Sequence, residues 1–413
     1  MIEGMAAHMK IALLHYTAPP LVGGVETTLA RQAAQFVRAG HMVHILAGRG
    51  ATWDARIPVE LIPRLDARHP QVLKARAALD AGTIPPEFDN LVHQIESDLY
   101  RSLGSSDVLI AHNAGCQNKN LALTAALYNL SQSGRGPRVI LWHHDLAWTD
   151  PHYRDELFPG WPWDLLHTAW PGVKQVTVSE ANRQELAAQM GISLKKITLV
   201  QAGLALADFL NLQKRTAALV NDLELALTGP LLLTPVRISP RKNLEMGLHI
   251  LAELRHKMPQ AALVVTGPVK TQSAANEDCL SNLLELRDRL GLEGAAFFLA
   301  ELLPEGLPEP SLTDFFRLAD ALLLPSREEA YGIPLLEAGL AGLPIFCSEL
   351  GSLKELAGEN AVYFSPSEDP RRVAALIAGR LQADPIYRMR VRVRHEFTWE
   401  AVYRKQIAPL LEK

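Results

Sequence analysis

The sequence predicts an α/β chain made of two doubly wound, parallel-sheet domains. Three observations carry this. The 413 residues are about twice what one ordinary hydrophobic core requires. A strand–helix–strand unit opens the chain within residues 10–47. The same rhythm of short apolar strands and amphipathic helices restarts near residue 231.

Residues 10–15 form the first apolar run and lead into a loop over 17–24. Val25, Leu29, Ala33, Phe36 and Val37 then recur at helical spacing until Gly40, and 42–47 is a second strand. Further strands are predicted at 108–111, 139–142, 176–178 and 197–200. The second series is 231–235, 263–266, 296–299, 321–324 and 344–347, with a helix over 244–257. A weak, polar-interrupted stretch at 211–228 separates the two series. The predicted domains are therefore 9–212 and 213–386, followed by a helical tail at 387–413. Residues 1–8 have neither a basic start nor an apolar core, so they read as an added leader or an alternative start rather than a secretory signal.

Composition narrows the function. Apolar residues are 48% and charged residues 21%, which suits a globular chain. A formal charge of -4 does not suit a polyanion partner such as nucleic acid. Cys116, Cys279 and Cys347 are too scattered for a disulfide framework or a zinc knuckle, which points to free thiols and a cytoplasmic location. No run of about 18 apolar residues is present, so no transmembrane segment is predicted.

Ligands of open parallel sheets bind at the carboxyl ends of the strands, so the informative residues should follow strands directly. The strongest segment is Pro325-Ser-Arg-Glu-Glu-Ala-Tyr-Gly-Ile-Pro-Leu-Leu-Glu337. It leaves the strand 321–324 and opens a helix, with Pro334 suited to its first position and Glu337 in its first turn. Gly332 lets the backbone approach a ligand, and the free amides of the helix start attract phosphate. Glu329 and Glu337, eight positions apart, can face one ligand. A second basic segment, Val236-Arg-Ile-Ser-Pro-Arg-Lys-Asn243, follows the strand 231–235. Gly23-Gly24 follows the first strand, and His143-His144-Asp145 follows the strand 139–142. Three consecutive residues make a poor metal site, and no matching distant ligands are evident, so no metal is expected.

Glu329 and Glu337 resemble the glutamate–seven–glutamate motif of retaining glycosyltransferases of family 4, the group 1 glycosyltransferases. The run from Ala338 to Ile345 and the segment 350–356 also resemble that family. The resemblance implies the GT-B fold, two Rossmann-like domains facing a central cleft. The N-terminal domain would bind a hydroxyl acceptor, which the sequence does not name. The C-terminal domain would bind a nucleotide-sugar donor of the UDP-glucose or GDP-mannose type. Glu337 would then accept hydrogen bonds from the donor ribose. Glu329, with the amides of Tyr331 and Gly332 beside Ile333, would hold the transferred sugar. Arg237 and Lys242 would neutralise the diphosphate, which accounts for transfer without a metal or other cofactor; Arg241 competes for the second role. Gly23 and Gly24 would let their loop reach the donor. His144 is the better match for the histidine that approaches the donor sugar, with His143 as its alternative.

Three features depart from the family pattern. Ala202-Gly203-Leu204-Ala205 lacks two polar residues, Thr266-Gly267-Pro268 is a shortened turn, and Ala300 stands where a glycine is usual. Five tryptophans, Trp142, Trp148, Trp161, Trp163 and Trp170, read either as a packed insertion or as an acceptor platform. Phe397-Thr398-Trp399-Glu400 resembles the family signature before a last helix that crosses back to the N-terminal domain. Arg388, Arg390, Arg392 and Arg394 read as a salt-bridged helix face or as a peripheral membrane contact. The competing functions are a nucleotide-sugar epimerase or hydrolase on the same fold, and a two-domain sugar-binding protein. The absence of Gly-x-Gly-x-x-Gly after the first strand disfavours a dehydrogenase, and the absence of Asp-x-Asp disfavours a metal-dependent transferase.

Overall fold

The computed structural model describes residues 8–151, 153–269 and 274–412. Of the leader, only His8 lies among the described residues. The chain divides into two compact units, the first comprising Met1–Gly203 with Trp399–Lys413 and the second Leu204–Thr398.

Unit 1 contains the strands β1 (Lys10–Thr17), β2 (Met42–Arg49), β3 (Val59–Leu61), β4 (Val108–His112), β5 (Arg138–His143), β6 (Lys174–Thr177) and β7 (Ile197–Leu199). They form one parallel sheet in the order β3-β2-β1-β4-β5-β6-β7. The strand order reverses between β1 and β4, where Ile11 pairs with Val108. Every residue of β4 is buried, as a sheet covered on both faces requires. The helix Gly24–Arg38 turns Leu29, Gln32, Ala33 and Phe36 inward, the face that its apolar spacing predicts. Gly40, at φ +87, ends that turn and leads into β2.

Unit 2 contains β8 (Leu231–Thr234), β9 (Ala262–Val265), β10 (Ala296–Phe298), β11 (Ala321–Leu324), β12 (Ile345–Ser348) and β13 (Val362–Phe364). Their order is β10-β9-β8-β11-β12-β13, again parallel, with the reversal between β8 and β11. The described residues therefore have the two Rossmann-like doubly wound sheets that make up a GT-B chain. The sequence pattern misses only the edge strands β3 and β13. Each has three residues, as do β7 and β10, which the pattern does find.

The unit boundaries fall at 203/204 and 398/399, not at 212/213 and 386/387, and packing explains the shift. Leu206, Leu210 and Leu212 lie against the unit 2 core and so draw the connecting segment into that unit. The helix Pro385–Glu396 also stays with unit 2 through Tyr387, Val391 and Arg394. Trp399 begins the return: it is buried, and a side chain on Gly203 would strike its ring at 2.5 Å. Glu400 then pairs with Arg38 at 2.7 Å, and Tyr403 Oη lies 3.0 Å from His41 Nε2.

The arginines of the helix Pro385–Glu396 turn most of their donors toward the protein. Arg390 donates to the Arg317 and Ala319 carbonyls at 2.8 and 3.0 Å, and Arg388 donates to the Gln382 carbonyl at 2.8 Å. Arg392 pairs with Glu396 at 3.1 Å, and Arg394 is buried against Asp320. Arg392 and Arg394 are thus salt-bridged, while Arg388 and Arg392 remain exposed. Among the described residues no helix is long and apolar enough to cross a membrane. The tryptophan-rich stretch is mostly interior: Trp142, Trp163 and Trp170 are buried, and only Trp161 is well exposed, edge-on to Tyr128.

Asp320 is the polar anchor of unit 2. It accepts from the Leu231 amide at the start of β8 at 2.8 Å and holds Arg394, tying the central strand to the last helix of the unit. Removing one partner of a buried pair leaves the other charge uncompensated. Asp320→Ala is expected to destabilise unit 2 by roughly 3–5 kcal/mol, measured by urea unfolding. A loss below about 1 kcal/mol, the range of an exposed pair, would show that Arg394 finds another partner.

Candidate active site

The loops that leave β8 and β11 meet at the strand-order reversal of unit 2. Thr234 Oγ1 donates to the Leu323 carbonyl at 2.7 Å and aligns the two strand ends. After β8 the chain makes a single 3-10 turn, Pro240–Lys242, and Asn243 follows in the left-handed region at φ 54. The Asn243 amide donates to the carbonyls of Pro325 and Pro366 at 2.9 and 3.0 Å, and the Arg327 amide donates to the Arg241 carbonyl at 2.8 Å. These bonds stitch the basic loop to the acidic one. The result is an ion pair between Lys242 and Glu329, with only 9% and 14% of the two side chains exposed.

Two glycines permit this close approach. A Cβ on Gly267 would sit 2.1 Å from the Val236 carbonyl oxygen, so the shortened turn after β9 fits directly beneath the Arg237 loop. The Ile238 amide closes the contact by donating to the Pro268 carbonyl at 3.0 Å. Gly332 has φ +98, and a Cβ there would meet Leu353 Cδ2 at 2.5 Å. It precedes the helix Ile333–Leu340, so free backbone amides are presented beside Glu329. Ser352 Oγ donates to the Glu329 carbonyl at 2.7 Å and holds the loop from the other side.

The remaining residues singled out in this unit are more open. Arg237 is exposed and makes no ion pair with a described residue. Tyr331 and Ile333 are exposed beside the helix start. Glu337 is the fifth residue of its helix and lies in the second turn rather than the first. Burial, and then the nearby Glu309 carboxylate, push its carboxyl above the usual range.

Unit 1 has a polar cluster at its own strand ends. His15 lies two residues before the end of β1, His112 ends β4, and His144 follows β5. His15 Nδ1 donates to the His112 carbonyl at 3.0 Å. His112 Nδ1 lies 3.0 Å from His144 Nε2, with the rings roughly parallel. Asn113, at φ 57, bonds both sides of the turn: its Oδ1 accepts from the His144 amide at 2.8 Å and its Nδ2 donates to Asp145 at 3.0 Å. Asn182 Nδ2 donates to the His144 carbonyl at 2.8 Å.

The two candidate histidines part company here. His143 is buried, points into the unit and donates from Nε2 to Gln175 at 2.7 Å. His144 keeps an accessible edge. Gly23 and Gly24 precede the helix Gly24–Arg38. Gly23 packs against the Glu26 carboxylate, which accepts from Thr17 Oγ1 and so ties the helix start to the end of β1. Sequence reasoning overlooked His15, His112 and Asn113. Their signal was available, because His112-Asn113 stands directly after the strand 108–111, where the strand-end rule looks for ligand contacts. No group of three or more His, Cys, Asp or Glu among the described residues is placed to hold a metal ion.

Residues 217–394 match the family model described as Glycosyl transferases group 1. This group 1 match covers the β8 and β11 loops and the whole of the Lys242–Glu329 arrangement. The D-inositol 3-phosphate glycosyltransferase of Jonesia denitrificans is 29% identical over 218 residues, covering 50% of this chain and 49% of that protein. D-inositol 3-phosphate glycosyltransferase 1 of Catenulispora acidiphila is 24% identical over 432 residues, covering 92% of each. In the first of these comparisons the chain spans about half the length of its curated relative. The crystal structure of Anabaena Alr3699/HepE in complex with UDP aligns over 98% of this chain and 99% of its own, with 18% identity and a TM-score of 0.35.

Burial holds the imidazoles of His143 and His144 at about 4, below the usual 6.5. The unfolded chain therefore binds more protons than the folded one between about pH 6.5 and pH 4, and stability falls as pH drops through that window. For His143 the loss is on the order of 3 kcal/mol at pH 4. His143→Gln should flatten the dependence of the melting temperature on pH between 6.5 and 4. An unchanged slope would mean that His143 is already protonated in the folded chain.

Proposed function

We propose that the protein is a glycosyltransferase that moves a sugar from a nucleoside-diphosphate sugar, of the UDP-glucose or GDP-mannose type, to a hydroxyl acceptor with retention of configuration. The observation that carries this reading is the Lys242–Glu329 pair held at the strand-order reversal of unit 2, inside the span of the group 1 match. That point of a doubly wound sheet is where nucleotides bind.

In this reading the donor lies on unit 2, with its diphosphate beside Arg237 and Lys242 and the free amides of the helix Ile333–Leu340. As the bond from the anomeric carbon to the diphosphate oxygen breaks, its electron pair goes to that oxygen. The two cations and the amides lower the barrier by holding the charge that develops. The acceptor oxygen bonds to the anomeric carbon on the face the leaving group vacates, and its proton passes to a phosphate oxygen. Glu329 fixes Lys242 by pairing with it and accepts hydrogen bonds from sugar hydroxyls through its remaining lone pairs. Glu337, Tyr331, Gly332 and Ile333 line the donor's other contacts, with Glu337 accepting from the ribose. Unit 1 supplies the acceptor side and His144, whose neutral imidazole suits a hydrogen bond to a sugar hydroxyl. Gly23 and Gly24 keep the loop after β1 open to the ligand. The three free, buried cysteines fit the cytoplasm, where nucleotide sugars are the available donors.

A thermal-shift screen of nucleotide sugars tests the donor. A ligand at about 100 times its Kd adds roughly 2.7 kcal/mol to apparent stability. The shift given by the preferred donor should shrink in Glu337→Ala. Lys242→Ala should lower kcat, but it also leaves Glu329 without its partner. Arg237→Ala separates the two effects, because Arg237 has no ion pair with a described residue to lose. Its melting temperature should stay at the wild-type value while kcat/KM falls on the order of 100-fold. Wild-type turnover in both variants would remove the phosphate assignment.

A further inference from the structure

We propose that His112 is a positioning residue that fixes the His144 imidazole in the tautomer with its proton on Nδ1, so that His144 meets its ligand as a hydrogen-bond donor. The role given to the ligand rests on the reading above; the tautomer does not.

His112 is fully buried between neighbours, its ring stacked on Trp142 with centroids 5.5 Å apart. Its Nε2 has no hydrogen-bond partner among the described residues. Its Nδ1 lies 3.0 Å from His144 Nε2. Burial and the two neighbouring histidines hold His112 in its neutral form, which carries a single N–H. With the hydrogen on Nε2, a buried donor would face no acceptor, which native interiors rarely tolerate. With the hydrogen on Nδ1, it is donated to His144 Nε2. That nitrogen must then be the bare acceptor of a neutral ring, and the His144 proton is left on Nδ1.

The surroundings support a fixed orientation. The peptide groups of His144 are held on both sides, by Asn113 Oδ1 at its amide and by Asn182 Nδ2 at its carbonyl. The His112 carbonyl is itself held by His15 Nδ1 at 3.0 Å. His144 cannot turn its ring without breaking the only hydrogen bond available to the His112 side chain. The accessible edge of His144 is therefore an N–H. A donor there suits a sugar hydroxyl oxygen, or an oxygen on which negative charge grows, better than a lone pair would.

The test is nitrogen NMR of the full chain labelled with 15N-histidine, without ligand, with the His144 signals assigned by their loss in His144→Gln. The wild type should show a protonated Nδ1 and a bare Nε2 at His144. His112→Asn keeps a side-chain amide able to donate and should preserve that pattern. His112→Leu removes the donor and should shift His144 toward the Nε2-protonated form. Turnover with the donor from the thermal-shift screen should follow the tautomer: kcat falls ~10–100-fold in His112→Leu and stays near wild type in His112→Asn, with little change in donor KM. Should His112→Leu not fold, the wild-type spectrum and His112→Asn still decide the tautomer. A wild-type His144 protonated on Nε2, or a pattern unmoved in folded His112→Leu, overturns the proposal. So does a tautomer shift that leaves kcat unchanged. If the wild type turns over no nucleotide sugar, the proposed function fails, while the ligand-free spectrum still judges the tautomer.

Discussion

A parallel sheet covered on both faces cannot carry polar chemistry along its strands. β8, β9, β11 and β12 are buried along their whole length, and an unpaired charge on any of them would be strongly unfavourable. Polar groups are therefore pushed to the strand ends. At the point where strand order reverses, two neighbouring loops diverge and leave room for a ligand. Both units follow this constraint. In unit 2 the reversal separates β8 from β11, and in unit 1 it separates β1 from β4. The groups singled out on chemical grounds stand just beyond these strands or their immediate neighbours.

The two strand-end clusters differ in electrostatic character. Unit 2 gathers full charges: Lys242 against Glu329, with Arg237 exposed in the same loop after β8 and the amides of a helix start alongside. Unit 1 gathers imidazoles and amides, His15, His112 and His144 with Asn113, beside the carboxylates of Glu26 and Asp145. Burial keeps His144 uncharged at neutral pH.

Much of the fold was legible because its signals are local. Strand runs such as 321–324, and the helical spacing of Leu29, Ala33 and Phe36, need no information from elsewhere in the chain. The edge strands β3 and β13 were missed, although β7 and β10, equally short and not fully buried, were found. The unit boundary was also displaced, because Leu206 and Leu210 look like linker residues until the core they pack against is known. Among the candidate side chains, sequence spacing could nominate Arg237, Lys242, Glu329 and Glu337 together. It could not show that Lys242 is paired with Glu329 while Arg237 has no ion-pair partner among the described residues, nor that His143 faces inward toward Gln175.

The sequence by itself determined that strands and helices alternate in two series, and which residue types stand directly after each strand. Those properties depend on hydrophobic periodicity and on glycine and proline placement, which act within a few residues. Only the tertiary structure decided which strand ends become neighbours. That choice brings Lys242 to Glu329 across 87 positions and His112 to His144 across 32. Burial, partner and protonation state follow from those neighbours, because each depends on what is excluded from water beside the group.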